Sequence, residues 1–556
     1  MIFIILIFFT AFLLEGSGLF SIRQNITYFY CILPAILYIH TVQKGRQITI
    51  PFKATLIFLA FLFFSTVSSI AFSVDKQISL EYLLFYVVSY LVFLFFYNHK
   101  AVGEKLIEKI PIISGIFFIT LFLFSSKPIS FSHGYQFVIS YFSSHNHLGD
   151  LLGLVLIVAG YRLLETRKLI YLFFSLISLP FFLISFSRTA YVSLLVAGTA
   201  YVLFLANKKV CSVLKIGLAI IASIVILFFL VSVKEAQTSP VFRPINQYLI
   251  KTFSLQPKEF FGGREEYVSQ ILHSFYEKPF FGFGPGNFAS ASRQYQSNPF
   301  NWTETAHNIF LETLVENGLL ALLAFSYFIY LLMRSVLRKH SLFGLILIYL
   351  LLNFQADYTY RIYSFFIFFM IVAATVYQEE EHRPGTLFFG ILSLIPLFFV
   401  VLSLGSNLFF MARNYKQALY TNPFNKKIYP LFIEEEQKVG NYRSVVNLTN
   451  MYQWIAPYDL TQFTFSANLY EGYGEKAKAL SMYKQIYAID PYGSFQIPAI
   501  IYRLLKEEKS PDKARVFIQE ALEKYRKYKY LESYRKEVLQ FCSQYKEINC
   551  KQMGQR

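Results

Sequence analysis

Apolar runs of bilayer length recur along most of this chain, and they restrict what it can fold into. Ala54–Phe72, Tyr82–Phe96, Ile170–Phe186 and Ile216–Val233 are near or at the roughly 20 residues that carry an α-helix across a hydrocarbon core. Similar runs continue to about Ala412. With 55% hydrophobic residues, 63 Phe and 41 Tyr, the chain reads as an all-α polytopic membrane protein of about 12–13 transmembrane helices. The N-terminal run MIFIILIFF has neither a basic start nor a small-residue cleavage site, so it reads as a first span and not as a removed signal.

The formal net charge is +17. In a soluble protein that balance would suggest nucleic acid, but here topology accounts for it. Basic residues gather in alternate short loops: Lys44, Arg46 and Lys53; Lys100, Lys105 and Lys109; Arg162, Arg167 and Lys168; Lys208, Lys209 and Lys215; Arg334, Arg338 and Lys339. The positive-inside rule puts these loops and the N-terminus in the cytoplasm. Arg188, the long segment 234–306 and everything after about Ala412 then share the extracytoplasmic side. The expected division is a membrane domain over 1–412 and an extracytoplasmic helical domain over 413–556.

The second domain carries a repeat. Pro423, Pro457 and Pro491, each followed by an aromatic residue, are spaced by 34 residues, as are Gly440 and Gly474. That is the tetratricopeptide period, and it predicts stacked helical hairpins that bind a partner. A fourth register near residue 525 lacks the proline and reads as a capping helix. Cys542 and Cys550 lie in this outside tail, where oxidation is possible. Eight residues of unbroken helix would hold them about 12 Å apart, so a bond between them requires a break. Cys31 and Cys211 read as small apolar packing residues.

The chemistry is expected at TAHNIFLETLVENG, where a wet loop meets a membrane helix. His307 stands at the junction, and Asn308, Glu312 and Glu316 follow at four-residue spacing, one polar stripe on a helix. Such a stripe is expensive in a membrane unless it faces water, protein or a polar ligand. Histidine suits proton transfer near neutral pH. Upstream, FGFGPGNF has three glycines, but their spacing is not that of a dinucleotide loop, and a tight turn holding the loop against the membrane is expected. His133, His145 and His147 could form a metal cluster only with further ligands, and no carboxylate beyond Asp150 is in view; no metal is expected.

Several pieces together resemble the O-antigen ligase family, membrane glycosyltransferases that include the related protein O-oligosaccharyltransferases. They are Ser144-His145-Asn146-His147-Leu148-Gly149; Phe186-Ser187-Arg188-Thr189-Ala190; Gly263-Arg264; Glu277-Lys278-Pro279 through Asn287-Phe288; and Ala306-His307-Asn308-Ile309-Phe310-Leu311-Glu312, continuing to Glu316-Asn317-Gly318. The resemblance covers roughly 130–335. It implies a donor glycan on undecaprenyl diphosphate, Arg188 and Arg264 holding the diphosphate, His307 acting on the acceptor, and metal-independent chemistry without a cofactor. Guanidinium groups suit that role because they grip phosphate oxygens bidentately. The plain alternatives are a snorkelling arginine at 188 and a surface ion pair at 264. Asn146, Asn308, Glu312, Tyr360 and Arg361 are expected to line the cavity. The acceptor is left open among lipid A-core, a protein hydroxyl and a growing glycan chain. A non-enzymatic polysaccharide exporter or scaffold is the alternative of a different class. Nucleic acid is not an expected partner.

Overall fold

The structure, a computed structural model, describes residues 23–115, 129–132, 136–139, 145–185, 187–205, 264–338, 341–379, 381–508, 510–528 and 531–548. The apolar runs at the N-terminus and at Ile216–Val233 lie outside these residues, as do 234–263 of the long loop. In chain order the membrane region holds α1 (Arg23–Gln43), strand β1 (Thr49–Pro51), α2 (Phe52–Val67, prolonged by a π turn to Phe72), α3 (Lys76–Asn98) and the short α4 (Lys100–Glu108). A hairpin of β2 (Ile129–Ser132) and β3 (Gln136–Ile139) leads to α5 (His145–Thr166), α6 (Leu169–Ile184) and α7 (Arg188–Leu205). Beyond the undescribed segment come α8 (Arg264–Glu277), α9 (Phe288–Gln294), α10 (Ile309–Arg338), α11 (Leu342–Asn353), a 3-10 turn at Thr359–Arg361, α12 (Tyr363–Val376), β4 (His382–Pro384) and α13 (Thr386–Met411). β1 and β4 pair antiparallel.

Among the described residues, five helices are long and apolar enough to cross a bilayer: Phe52–Phe72, Lys76–Asn98, Asn146–Thr166, Ile309–Arg338 and Thr386–Met411. Four shorter apolar helices accompany them. The protein is therefore an all-α, multi-pass membrane protein. α3 is its central post: α1, α2, α12 and α13 pack around it, and Val88, Leu91, Phe93 and Leu94 are fully buried. Its first turn is capped by Asp75, whose carboxylate accepts the Ile78 N–H at 3.1 Å. α6 and α13 turn apolar side chains outward, among them Leu169, Leu176, Leu387 and Phe398. That is the distribution expected where lipid is the solvent.

The tail is a succession of helices: α14 (Tyr415–Thr421), α15 (Ile428–Lys438), α16 (Tyr442–Ile455), α17 (Leu460–Gly472), α18 (Lys476–Ile489), α19 (Gln496–Glu507), α20 (Pro511–Arg526) and α21 (Glu532–Gln544). Pro423, Pro457 and Pro491 fall in the connections before α15, α17 and α19. Gly440 and Gly474 close the turns of α15–α16 and α17–α18 at φ 77°, the left-handed conformation that glycine adopts without strain. Ala467 and Ala479 are fully buried in adjacent helices and let them approach closely. Cys542 is disulfide-bonded, and α21 stops at Gln544, which supplies the break that a bond needs. Cys31 is buried and free.

Tail and membrane region are clamped together. Lys426 forms ion pairs with Asp75, at the head of α3, and with Asp459, the N-cap of α17. Burial disfavours the Lys426 ammonium, but the two carboxylates outweigh it and raise its pKa, while Lys426 in turn lowers that of Asp459 against the opposing effect of burial. The Tyr458 N–H donates to the Val74 carbonyl at 3.3 Å, and its ring packs against a buried cluster of Val74, Ile271, Phe283 and Phe288. Further along, Gln296 donates to Asp490 at 2.8 Å, and Tyr492 donates to the Ser297 carbonyl at 2.7 Å. The tail thus contacts the turn before α3 and the 271–297 part of the long loop.

Candidate functional site

The loop before His307 is fixed by a defect in a helix. At Gly318, α10 has φ 81° and ψ 177°, so the regular ladder fails there and backbone groups are freed. The loop takes them up: Phe283 N–H donates to Val315 O at 2.9 Å, Gly284 N–H to Glu316 O at 2.8 Å, and Leu319 N–H to Pro279 O at 2.9 Å. A Cβ at Gly318 would lie 2.1 Å from the Phe280 carbonyl oxygen, and one at Gly282 would lie 2.4 Å from that of Val315. Glycine is therefore demanded on both sides of the junction by close backbone approach. The glycine-rich stretch is a tight turn docked on the membrane helix.

Asn308 starts α10. Its side-chain oxygen accepts the Phe310 and Leu311 N–H groups at 3.0 and 3.1 Å, and its amide nitrogen reaches the Gln355 carbonyl at 3.1 Å. It serves as the helix cap. His307, one residue earlier, has φ 51°, an uncommon conformation for a residue with a side chain. The turn presents its ring to three elements. Nδ1 lies 3.7 Å from Oδ1 of Asp357. The ring meets Tyr358 edge-on at 5.3 Å and lies parallel to Tyr267 at 6.2 Å. Tyr358 in turn meets His147 edge-on at 4.7 Å.

Asp357 is 1% exposed, its Oδ1 accepts the Tyr358 N–H at 2.7 Å, and its Oδ2 has no hydrogen-bond partner. Burial pushes its carboxyl up, but the neighbouring His307, then His147 and the Tyr358 N–H, outweigh burial and hold it below the usual carboxylate range. Thr359 extends the cluster by donating to Asp150 at 3.0 Å. Among the described residues no three His, Cys, Asp or Glu side chains stand close enough to hold a metal; His133 and the side chain of His145 lie outside them.

The two arginines start helices at this end of the molecule. Arg188 opens α7 directly after Ser187, and the latter is so close to the first turn of α5 that a Cβ at Gly149 would lie 2.5 Å from its own. Asn146 and His147 belong to that same turn. Arg264 opens α8, one helical turn before Tyr267, whose ring lies over His307. The Arg264 side chain is outside the described residues.

Glu312, Glu316, Tyr360 and Arg361 form a separate buried group. Arg361 pairs with Glu312 and, at 2.6 Å, with Glu316; Tyr360 donates to Glu312 at 2.6 Å. Glu312 also accepts the Ala306 N–H at 2.8 Å, and Glu316 the Phe288 N–H at 3.0 Å. All four line one end of a cavity of about 860 Å³ between α2, α3, α10 and α12. The rest of its wall is apolar and aromatic, including Phe61, Phe85, Phe325 and Met370. Arg361 lines this cavity, which His307 does not, and its charge is matched by two carboxylates.

Sequence reasoning had reached His307 and both arginines but not Asp357, His147, Tyr267 or Tyr358 as neighbours of the histidine. The available signal was an acid directly before Tyr358-Thr359-Tyr360-Arg361, at the mouth of a span, where an unpaired carboxylate would be expensive.

Residues 173–326 match the family model described as O-antigen ligase. The segment contains Arg188, Arg264, the glycine-rich turn, His307, Glu312 and Glu316; Asn146, Asp357, Tyr360 and Arg361 lie outside it. None of the curated proteins matches the chain. At the coarse level, that match supports a ligase- or polymerase-type glycan transfer. Over residues 173–326, the chain is thus similar to the O-antigen ligase family.

Proposed function

We propose that the protein transfers a glycan from undecaprenyl diphosphate to a hydroxyl acceptor on the extracytoplasmic face of the cytoplasmic membrane. The observation that supports this reading is the approach of His307 to buried Asp357 and to Tyr267, which follows Arg264 by one helical turn. Asp357 fixes the imidazole with Nδ1 toward the carboxylate, leaving Nε2 to take a proton. The acceptor oxygen attacks the anomeric carbon, its proton passes to His307, and the bond from that carbon to the diphosphate breaks. The diphosphate leaves with the electron pair, its charge stabilised by the guanidinium groups of Arg188 and Arg264. One displacement inverts the anomeric carbon, and no general acid is needed. The aromatic cavity beside α10 suits an isoprenoid chain, because its wall is apolar except for the Glu312–Arg361–Glu316 end. The tail, read as a tetratricopeptide-like domain, binds a partner and braces the loop.

A polymerase or protein O-oligosaccharyltransferase uses the same donor chemistry with another acceptor. The test is glycan transfer in a deletion strain complemented with wild type, His307→Ala, Arg188→Ala or Arg264→Ala at matched membrane levels. The expected result is accumulation of lipid-linked glycan and loss of one surface glycoconjugate, whose identity names the acceptor. Normal transfer by all three variants moves the exporter or scaffold reading ahead.

A further inference from the structure

A second pocket lies on another face of α3. Tyr82, Phe85, Tyr86 and Ser89 of that helix line the aromatic cavity, whereas Gln77, Leu80 and Glu81 line a polar one of about 680 Å³. Its other walls are α1 through Tyr28, the outer part of α13, and the first hairpin of the tail. Phe399, Ser403 and Asn407 recur every fourth residue on α13 and so share one face. Asn407 is four residues from the end of that helix, about 6 Å along the axis. Asn422, Phe424 and Asn425 close the pocket from the tail.

The side-chain NH2 groups of the three asparagines in this pocket make only long hydrogen bonds. Asn407 donates to the Tyr28 hydroxyl at 3.5 Å, Asn422 to Ser403 at 3.4 Å, and Asn425 to Ser406 and Asn407 at 3.4 Å each. All four distances exceed the usual 2.7–3.2 Å range of N–H···O bonds (roughly). Groups at such separations gain when a ligand atom enters between them. Amide and hydroxyl side chains both donate and accept, as sugar hydroxyls do, and the rings of Phe399 and Phe424 offer apolar faces of the kind that sugar C–H groups cover. Glu81 and Lys427 both stand in the wall, so the pocket has no excess of positive charge to select a phosphate or uronate.

We propose that this pocket binds a neutral sugar residue, as a glycan-holding site separate from the His307 site and completed by the tail. The idea deepens the glycan-transfer reading and rests on it for the supply of glycan, but its test does not depend on catalysis. Trp454 reports on the pocket, because its ring lies 6.3 Å from that of Phe424, and the chain has only one other tryptophan among its 2.

The experiment titrates purified full-length protein in nanodiscs with maltotriose, with chitotriose and with short-chain phosphatidylethanolamine. Tryptophan fluorescence and saturation-transfer NMR are the readouts. Saturable binding of one trisaccharide is expected for wild type and His307→Ala alike. Asn407→Leu and Asn425→Leu should each weaken it about tenfold, the effect of one net hydrogen bond lost. Gln77→Met, on a different helix, replaces either variant that fails to give a monodisperse protein. Absence of saturable trisaccharide binding overturns the proposal, and so does binding indifferent to these substitutions. Pocket-dependent binding of the phospholipid alone also overturns it, by assigning the site to a lipid headgroup. If His307→Ala instead retains transfer, the catalytic reading fails while the pocket result stands.

Discussion

Asp357→Asn is the sharpest test of how His307 works. The substitution keeps the shape and removes the charge. At 3.7 Å, a full imidazolium–carboxylate pair is worth about 1 kcal/mol in water and about 4.5 kcal/mol at an effective dielectric constant near 20. The His307 side chain is 24% exposed and that of Asp357 1%, so the environment lies between those limits. Since about 1.4 kcal/mol is tenfold in rate, the transfer step should slow by roughly tenfold to a thousandfold. The assay is single-turnover transfer from purified lipid-linked donor, with donor KM measured in parallel. The rate constant should fall with KM unchanged, and Asp357→Glu should recover part of it. Because the folded pKa of Asp357 is depressed, its contribution to stability is present above about pH 3.9 and disappears only as pH falls through the lower folded value. An Asp357→Asn variant within about twofold of wild type, while His307→Ala is inactive, refutes the argument that this carboxylate positions the ring.

Arg361→Met leaves Glu312 and Glu316 buried without their cation and should destabilise the protein by about 3–5 kcal/mol, read as a lower melting temperature in detergent. Gly318→Ala forces a Cβ to 2.1 Å from the Phe280 carbonyl oxygen in a left-handed conformation. It should therefore detach the loop from α10 and increase protease cleavage within residues 279–306; an unchanged digestion pattern counts against the backbone docking described above. Lys426→Met leaves Asp75 facing Asp459 and should release the tail, with faster proteolysis between α13 and α14. The pH dependence of that clamp follows from the two shifts. The raised Lys426 pKa contributes stability below about pH 10.4 that is lost as pH rises through its folded value, and the depressed Asp459 pKa contributes stability above about pH 3.9 that is lost as pH falls. Tail release measured by proteolysis should thus be flat across the neutral range and increase at both extremes.

The membrane helices were legible because each apolar run reports its own burial in lipid, with no partner needed. The junction at His307 was legible for a related reason: a polar stripe at the start of an apolar run needs an explanation. Asp357 was not legible as the partner of His307, because 50 residues and the whole of α10 and α11 separate them. Pairing across that distance depends on packing. The Glu312–Arg361–Glu316 group was half visible, since the stripe was read but not the cation that neutralises it. The capping role of Asn308 was not read, because a residue that caps a helix and one that lines a cavity can occupy the same place in a sequence. The proline and glycine spacing in the tail located its turns, but the clamp at Lys426 joins sites 351 and 33 residues away, beyond any local pattern.

The clamp also orders events during synthesis. His307 and Asp357 leave the ribosome well before Lys426 and Asp490, through which the tail reaches Asp75 and Gln296. At about 5–20 residues per second, roughly ten to forty seconds separate the appearance of His307 from that of Asp490. For that interval the loop lies on α10 with no brace above it. A nascent or truncated chain therefore carries all the groups assigned to chemistry while lacking the part that holds the loop over them, and the last-made helices set when the site is complete.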